Sequence, residues 1–265
     1  MAKFRLYAVL NTVGLAITLL VNYLANAIPI GGKTTGEASA QVPTLFTPAG
    51  YAFAIWGVIY LLLTIWVIRQ FFAREDQKEI YARIGIWFFL NCLLNSAWIF
   101  IFQNDYYKLS LLVMLFILGT LMIVYSIIQH SRMTTWFMRL PISLYLGWIS
   151  VATIVNVFVV FQANGIQHLL GLSELAWTII MLLVGAALGI MFTLKNRDAV
   201  YPLVFIWAYI AIAVKQSGNQ PIVITVIISV VLLAIAIIVG LIKRYRRFLK
   251  RSSSFCKLEL FMMLF

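Results

Sequence analysis

Long apolar stretches separated by short polar connections dominate this 265-residue chain. Eight of them are long enough to cross, or nearly cross, a bilayer as helices, because about 20 apolar residues span its hydrocarbon core. They cover approximately residues 4–28, 49–72, 84–103, 107–129, 140–162, 174–194, 199–215 and 222–242. The seventh is short and opens near Pro202, which a first helical turn tolerates. The pattern therefore predicts an all-α integral membrane protein with eight spans.

Composition and charge support this class and predict an orientation. Hydrophobic residues make up 63% of the chain and charged residues 11%. With the N-terminus inside, 17 of the 20 Lys and Arg residues fall on the cytoplasmic side, and only Lys33, Lys108 and Lys215 fall outside. This asymmetry predicts a multi-pass protein of the cell membrane with both termini cytoplasmic. The net charge of +12 then reflects topology, and basic residues scattered over short loops do not favour a nucleic-acid partner.

Both ends of the chain allow two interpretations. The basic run 243–251 follows the last span, where it could anchor that span or bind anionic lipid. Near the other end, Ala25-Asn26-Ala27 resembles a signal-peptidase site. The preceding apolar run is longer than the core of a signal peptide, so we expect this segment to be retained as the first span.

Residues with catalytic or ion-coupling chemistry are missing from the predicted spans. None of the spans carries Asp, Glu, Lys or Arg near its centre, which argues against proton- or sodium-coupled transport. The sequence contains no phosphate-binding Walker loop and no Ser/His/Asp or Cys/His constellation, so we assign no enzymatic activity and no required cofactor. Cys92 and Cys256 lie too far apart for a disulfide, and His130 and His168 lack metal-ligand spacing.

Two further patterns concern the connections and helix contacts. The first loop, 29–48, is rich in Gly, Thr and Pro and is predicted to lack regular structure over much of its length. It could serve as a lid or as a plain linker. Gly185 and Gly189 form a GxxxG spacing, which predicts a helix contact face and leaves a homodimer open.

Three phrases combine Trp with small polar residues inside apolar spans. They are FTPAGYAFAIWGVIY (46–60), LNCLLNSAW (90–98) and YLGWISVATIVN (145–156). Residues three, four or about seven apart share a helix face, and a carboxamide in hydrocarbon needs partners. We therefore hypothesise a shared pocket for a flat hydrophobic ligand. The alternative is that the indoles are interfacial anchors and the Asn side chains make interhelical hydrogen bonds.

These phrases resemble the TspO/translocator-protein family, the tryptophan-rich sensory proteins also called peripheral-type benzodiazepine receptors. The first matches the Pro and W-x-x-L-Y motif of its second helix, at Pro48, Trp56 and Tyr60, with Ile59 in place of Leu. The second matches the L-N-x-x-W motif of its third helix, at Leu94, Asn95, Trp98 and Phe102, with Asn91 one turn earlier. The third matches the P-Y-x-x-W-x-x-x-A-x-x-x-N motif of its fifth helix at Tyr145, Trp148, Ala152 and Asn156, with Leu144 in place of the Pro. The family's double Pro is reduced to Pro48, and the fifth-helix Pro falls at Pro141.

The resemblance implies a five-helix TspO-like core over residues 1–163. Residues 164–242 would then form a three-helix transmembrane extension, which five-helix relatives do not explain, and residues 243–265 a basic cytoplasmic tail. Family members bind tetrapyrroles and some bind sterols. The implied function is ligand binding or sensing of porphyrin-like molecules, with membrane lipids as the other partners. The alternatives are a transporter or permease subunit for a hydrophobic small molecule and an intramembrane porphyrin-modifying enzyme. The implied ligand-binding residues are Trp56, Tyr60, Asn91, Asn95, Trp98, Tyr145, Trp148, Ala152 and Asn156.

Overall fold

Helices account for nearly all of the regular structure. The computed structural model describes residues 2–28, 32–33, 35–166 and 168–262, without the side chains of residues 2, 35 and 244–262. The helices in these ranges are α1 (Ala2–Ala27), α2 (Thr35–Gln41), α3 (Ile55–Phe71), α4 (Glu75–Ile84), α5 (Trp87–Gln103), α6 (Tyr107–Gln129), α7 (Trp136–Ala163), α8 (Glu174–Asn196), α9 (Val200–Lys215) and α10 (Gln220–Met262). A 3-10 turn, Gly50–Ala54, leads into α3. Strands β1 (His168–Leu169) and β2 (Leu172–Ser173) pair as an antiparallel hairpin before α8.

The lengths of these helices confirm the all-α membrane class. Within the described ranges, six helices are long and apolar enough to cross a membrane, and a seventh is added if α4 and α5 are counted as one span bent by 49°. Helix α9 is apolar but only 16 residues long. The predicted seventh span is thus present as a helix, although it is shorter than a typical crossing segment.

Helix α4 was not predicted as a separate element, because its charged residues made it look like a connection. It buries Ile80, Tyr81 and Ile84 on one face and exposes its charges on the other, so it lies as an amphipathic helix before α5. The chain turns sharply at Gly85, whose φ of 57° is readily available to glycine. The third span therefore begins after this turn, at α5.

The first loop needs a further correction, and the described backbone of the tail is helical. The first loop contains the seven-residue α2, in which Ala38 and Ser39 are buried against the protein, so it is more ordered than its composition predicted. The chain after residue 243 was predicted as a tail, and its backbone continues the helix of α10 to Met262. The basic side chains from Arg244 onward lie outside the described side chains.

The last three helices pack directly on the helices before them. Helix α9 lies against α7, where a Cβ at Gly147 would come within 2.9 Å of Val204. The GxxxG spacing is a helix contact face within the chain, because a Cβ at Gly185 would meet Tyr209 of α9 and one at Gly189 would meet Leu233 of α10. The division of the chain into a core, residues 1–163, and an extension, residues 164–242, stays a prediction.

A buried carboxylate ties the α8–α9 turn to the preceding helices. The side chain of Asp198 is fully buried, and its Oδ2 accepts a hydrogen bond of 2.8 Å from the Tyr125 hydroxyl of α6. Arg139 of α7 places its Nε 3.4 Å from the same oxygen. The other oxygen, Oδ1, accepts from the backbone N–H of Val200, the first residue of α9, at 2.9 Å. One side chain thus joins three helices.

We expect Asp198→Ala to be strongly destabilising. The substitution leaves Arg139 largely buried without its carboxylate, and breaking a buried ion pair in this way costs about 3–5 kcal/mol. Unfolding in detergent followed by circular dichroism measures the loss. Glu75→Ala is the control, because the Glu75–Lys78 ion pair is solvent-exposed and should contribute less than about 1 kcal/mol. Equal losses in the two variants would contradict this account of Asp198.

Candidate functional site

Two adjoining cavities lie where α1, α2, α3, α5 and α7 meet. The larger has a volume of about 610 Å³. It is lined by Leu19, Asn22, Tyr23, Asn26, Ala27, Gly36, Phe53, Trp56, Gly57, Tyr60, Asn95, Trp98 and Ile99. The smaller has a volume of about 40 Å³ and is lined by Ser39, Pro48, Phe53, Trp56, Trp98, Phe102, Trp148, Val151, Ala152, Val155, Asn156 and Val159. Phe53, Trp56 and Trp98 line both cavities, so the two spaces form one candidate site.

Aromatic rings in mutual contact separate the two cavities. Trp56 stacks on Tyr60 with ring centroids 5.2 Å apart and meets Trp148 edge-on at 6.3 Å. Phe53 also meets Trp148 edge-on at 5.8 Å. Trp56 and Tyr60 lie one helical turn apart on α3, and the 3-10 turn before that helix brings Phe53 to the same side. Such ring pairs favour flat apolar ligands that can stack or bury a face.

The side chain of Asn95 connects four helices behind this aromatic wall. Its Nδ2 donates a 2.7 Å hydrogen bond to the Tyr145 hydroxyl of α7. Its Oδ1 accepts from Asn22 Nδ2 of α1 at 3.3 Å and from the Tyr60 hydroxyl of α3 at 3.4 Å. Asn95 is 2% exposed, so these partners replace water for a buried carboxamide. The network fixes the positions of the side chains that line the larger cavity.

The smaller cavity brings together three buried polar groups that lack partners. The indole N–H groups of Trp98 and Trp148 and the hydroxyl of Ser39 have no hydrogen-bond partner among the described residues. These side chains are 9%, 2% and 5% exposed, respectively. A buried donor without an acceptor costs about 1–3 kcal/mol. The site is therefore chemically suited to a ligand that carries a hydrogen-bond acceptor, such as a carboxylate or carbonyl oxygen.

The structure brings together eight of the nine predicted site residues, in three different positions. Trp56, Tyr60, Asn95 and Trp98 line the larger cavity; Trp148, Ala152 and Asn156 line the smaller; Tyr145 lies behind the wall. Tyr145 supports the site through Asn95 and through an edge contact of 5.8 Å with Trp56. The Oδ1 of Asn156 accepts from Ser110 at 2.9 Å. Asn156 therefore both lines the cavity and joins α7 to α6.

Asn91 does not lie at this site, although it is one helical turn from Asn95. It lines neither cavity, and its Nδ2 donates to Ile117 O at 3.0 Å and to Thr120 Oγ1 at 2.8 Å, both in α6. The prediction that it faces the pocket is therefore wrong in its geometry. The interhelical alternative describes Asn91 correctly, because an amide buried at the α5–α6 contact finds its partners there.

Sequence reasoning missed the contribution of α1. Leu19, Asn22, Tyr23 and Asn26 all line the larger cavity, and they follow the i, i+3, i+4, i+7 spacing of a single helix face. The same rule that selected the three Trp phrases could have found this face. It was not found because α1 was interpreted as a possible signal sequence and carries no Trp.

Charged side chains are absent from the described lining of both cavities. Within the described ranges, no three His, Cys, Asp or Glu side chains are grouped as metal ligands would be. The lining of the two cavities consists of aromatic faces, apolar side chains and a few neutral hydrogen-bonding groups. This arrangement can bind and orient a largely apolar ligand that carries a few hydrogen-bond acceptors.

An ion pair fastens α2 over the cavities. Lys33 Nζ lies 2.6 Å from Asp105 Oδ1, at the α5–α6 turn, and 2.6 Å from Gln41 Oε1, at the end of α2. The hydrogen bond from Lys33, with a second from the Tyr107 hydroxyl, lowers the pKa of the Asp105 carboxyl below its ordinary value. Since Gly36 and Ser39 of α2 line the cavities, this ion pair helps to close them.

Comparison with known proteins identifies the family. A family model described as TSPO-like protein matches residues 8–239. The match includes the helices that line both cavities and continues through α8 and α9 into α10, beyond the stretch of about 4–163 that carries the sequence motifs. No curated protein and no solved structure matches the chain.

We expect the closure by α2 to weaken in acid. The folded pKa of Asp105 lies below its ordinary value of about 3.9, so the ion pair is complete above that value and is lost as pH falls through the folded pKa. Amide hydrogen exchange over residues 35–41, corrected for intrinsic rates, should increase over this range. Asp105→Asn should give fast exchange already at neutral pH and remove the pH dependence. An unchanged rate in that variant would show that the ion pair does not hold α2.

Proposed function

Because the chain belongs to the TSPO-like family, we propose that it is an integral membrane protein that binds or senses flat hydrophobic molecules of the tetrapyrrole type. The ligand body occupies the larger cavity, whose volume of about 610 Å³ lies within the usual range of small-molecule sites, about 300–1,000 Å³. Its rings pack against Trp56 and Tyr60, and its other face meets the apolar residues of α1.

The observation that carries this proposal is the pair of unpartnered indole N–H groups of Trp98 and Trp148, two residues that line the smaller cavity. Trp98 lines both cavities, while Trp148 lines only the smaller, so a group reaching from the larger cavity past Trp98 would meet both donors. The space of about 40 Å³ suits a small acceptor group rather than a second ring. Porphyrins with carboxylate side chains combine a flat body with such a group.

We also propose that both termini lie in the cytoplasm. Two sets of connections gather at opposite ends of the helices. The Lys33–Asp105 ion pair joins the first loop to the α5–α6 turn at one end, and the Arg139–Asp198 pair joins α7 to the α8–α9 turn at the other. This alternation agrees with the even number of predicted crossings. The excess of Lys and Arg, 17 of 20, assigns the second end to the cytoplasm.

Tryptophan-fluorescence quenching with purified protein in nanodiscs tests the proposed function. Protoporphyrin IX should quench the emission saturably, and a sterol serves as a second probe class. Absence of saturable binding to both would overturn the proposal. Net porphyrin uptake into proteoliposomes would instead indicate the transporter alternative, and a modified porphyrin product under light would indicate the enzyme.

We expect Trp148→Phe to weaken protoporphyrin IX binding by about 10- to 150-fold. The substitution keeps an aromatic ring but removes the N–H, and a hydrogen bond to a charged acceptor contributes about 1.5–3 kcal/mol. Quenching titrations measure the change. The affinity for octaethylporphyrin, which has no carboxylate, should fall by less than about threefold, because stacking on the aromatic rings remains.

Trp177→Phe is the matched control for this comparison. Trp177 lines neither of the two cavities, and its N–H donates to Leu169 O in the hairpin before α8. Equal losses for the two porphyrins in Trp148→Phe would contradict an acceptor site at the indole. Affinity that collapses between low and high salt would also contradict it, because no charged side chain lines the described cavities.

Reporter fusions should confirm the orientation. A reporter that is active only outside the cytoplasm, fused after residue 251, should give no signal, because the basic segment is retained inside. The same reporter fused after Gly218, in the α9–α10 turn, should be active. The reverse pattern would invert the orientation, and activity at both positions would remove α10 as a span.

A further inference from the structure

We propose that α9 and the start of α8 position the ligand cavities, and that Glu174 and Trp207 are the positioning residues. They hold residues 45–52, the lead-in segment, which connects the first loop to α3. This segment carries Pro48, which lines the smaller cavity, and it leads directly to Phe53, which lines both. The consequence for ligand binding rests on the proposed function, whereas the anchoring of the segment does not.

Three hydrogen bonds tie the lead-in segment to α8 and α9. The carboxylate of Glu174, at the start of α8, accepts from the backbone N–H of Leu45 at 2.7 Å. The backbone carbonyl of Ala211 accepts from the N–H of Ala49 at 3.1 Å. The indole N–H of Trp207 donates to the carbonyl of Ala52 at 3.1 Å. The first two bonds satisfy backbone N–H groups of Leu45 and Ala49 that have no partner within the segment. The third adds a donor to the Ala52 carbonyl, which also accepts from the Ile55 N–H.

Aromatic packing fixes the same segment from both sides. Phe46 is fully buried and stacks on Phe158 of α7 with ring centroids 5.4 Å apart and an interplanar angle of 8°. The ring of Tyr209 of α9 packs edge-on against the same ring, with the two centroids 6.4 Å apart. Tyr51 meets Trp207 edge-on at 5.5 Å. The lead-in segment therefore lies between α7 and α9, and the position of α9 determines where it can go.

The close contact between α7 and α9 fixes the position of α9. A Cβ at Gly147 would come within 3.0 Å of the Tyr201 carbonyl oxygen, so the two backbones approach closely just beside Trp148. The Tyr201 hydroxyl also donates to Ser150 Oγ at 3.0 Å. Helix α9 is thus held to the helix that carries Trp148, Ala152 and Asn156. It sets the distance between the lead-in segment and these residues, which is the width of the smaller cavity.

The test uses a double variant, Glu174→Leu with Trp207→Phe. It removes one acceptor and one donor to the lead-in segment and keeps an aromatic ring beside Tyr51. Because two bonds that hold the segment are lost, amide exchange at Leu45 and Ala49 without ligand should rise about tenfold. Glu174→Gln, which keeps a side-chain oxygen acceptor, should restore slow exchange at Leu45. Trp177→Phe is the matched control, because the Trp177 N–H donates to Leu169 O in the hairpin and not to the lead-in segment. Unchanged exchange in the double variant would overturn the anchoring.

A second measurement follows the accessibility of position 53 in the cavity wall and needs no ligand. In a background with F53C and with Cys92 and Cys256 replaced by Ala, the rate of maleimide labelling at position 53 should change at least threefold in the double variant and not in Trp177→Phe. Labelling that follows the control would overturn the positioning role, even if the parent protein binds no porphyrin. If the parent does bind, protoporphyrin IX should dissociate faster from the double variant than from Trp177→Phe. Parent-like dissociation would likewise overturn the role.

Discussion

A carboxamide in the hydrocarbon region of a membrane must find its hydrogen-bond partners inside the protein, and the arrangement of this molecule follows from how that requirement is met. Asn95 meets it with Asn22, Tyr60 and Tyr145, each on a different helix. Because the three partners converge on one amide, their helices cannot rotate or slide independently. The larger cavity is the space that this arrangement leaves beside the amide, and the aromatic rings of α3 and α5 line it.

The same requirement is left unmet in the smaller cavity. The indole N–H groups of Trp98 and Trp148 are buried and have no acceptor among the described residues, although the surrounding structure satisfies Asn95 and Asn156. A buried polar group without a partner needs a specific explanation, and an acceptor on a ligand would provide one for these indoles. The contrast between the satisfied amides and the unsatisfied indoles separates the residues that build the site from those available to a ligand. Sequence spacing alone could not make that distinction.

The sequence predicted the membrane class, the helical spans and most of the site, because hydrophobic length and helical spacing are local properties. It failed where the answer depended on neighbours. Asn91 and Asn95 differ by only about 40° around α5, yet one faces α6 and the other faces the cavity. The helix α4 was missed because a single amphipathic face of ten residues resembles a charged loop. The link between Glu174 and Leu45 joins positions 129 residues apart and has no local signal.

The family match across residues 8–239 agrees with the packing of α9 against α7. Four helices, α1, α3, α5 and α7, supply every lining residue of the two cavities apart from those of α2, Pro48 and Phe53. The last three helices contribute no lining residue in the described part of the chain, yet α9 and the start of α8 hold the backbone just before α3. Lining a site and determining its shape are therefore tasks of different parts of this chain.

The shortness of α9 has a consequence for the lipid around it. Sixteen residues extend about 24 Å, while the hydrocarbon core of a typical bilayer is about 30 Å thick. The helix is not shielded from lipid, because Leu203, Ile210 and Val214 form an exposed stripe along it. Lipid next to this stripe must thin to match it, at a cost of a fraction of a kcal/mol for each ångström. A bilayer of shorter acyl chains would remove that cost, so membrane thickness acts on a helix that helps to join the last part of the fold to the cavity wall.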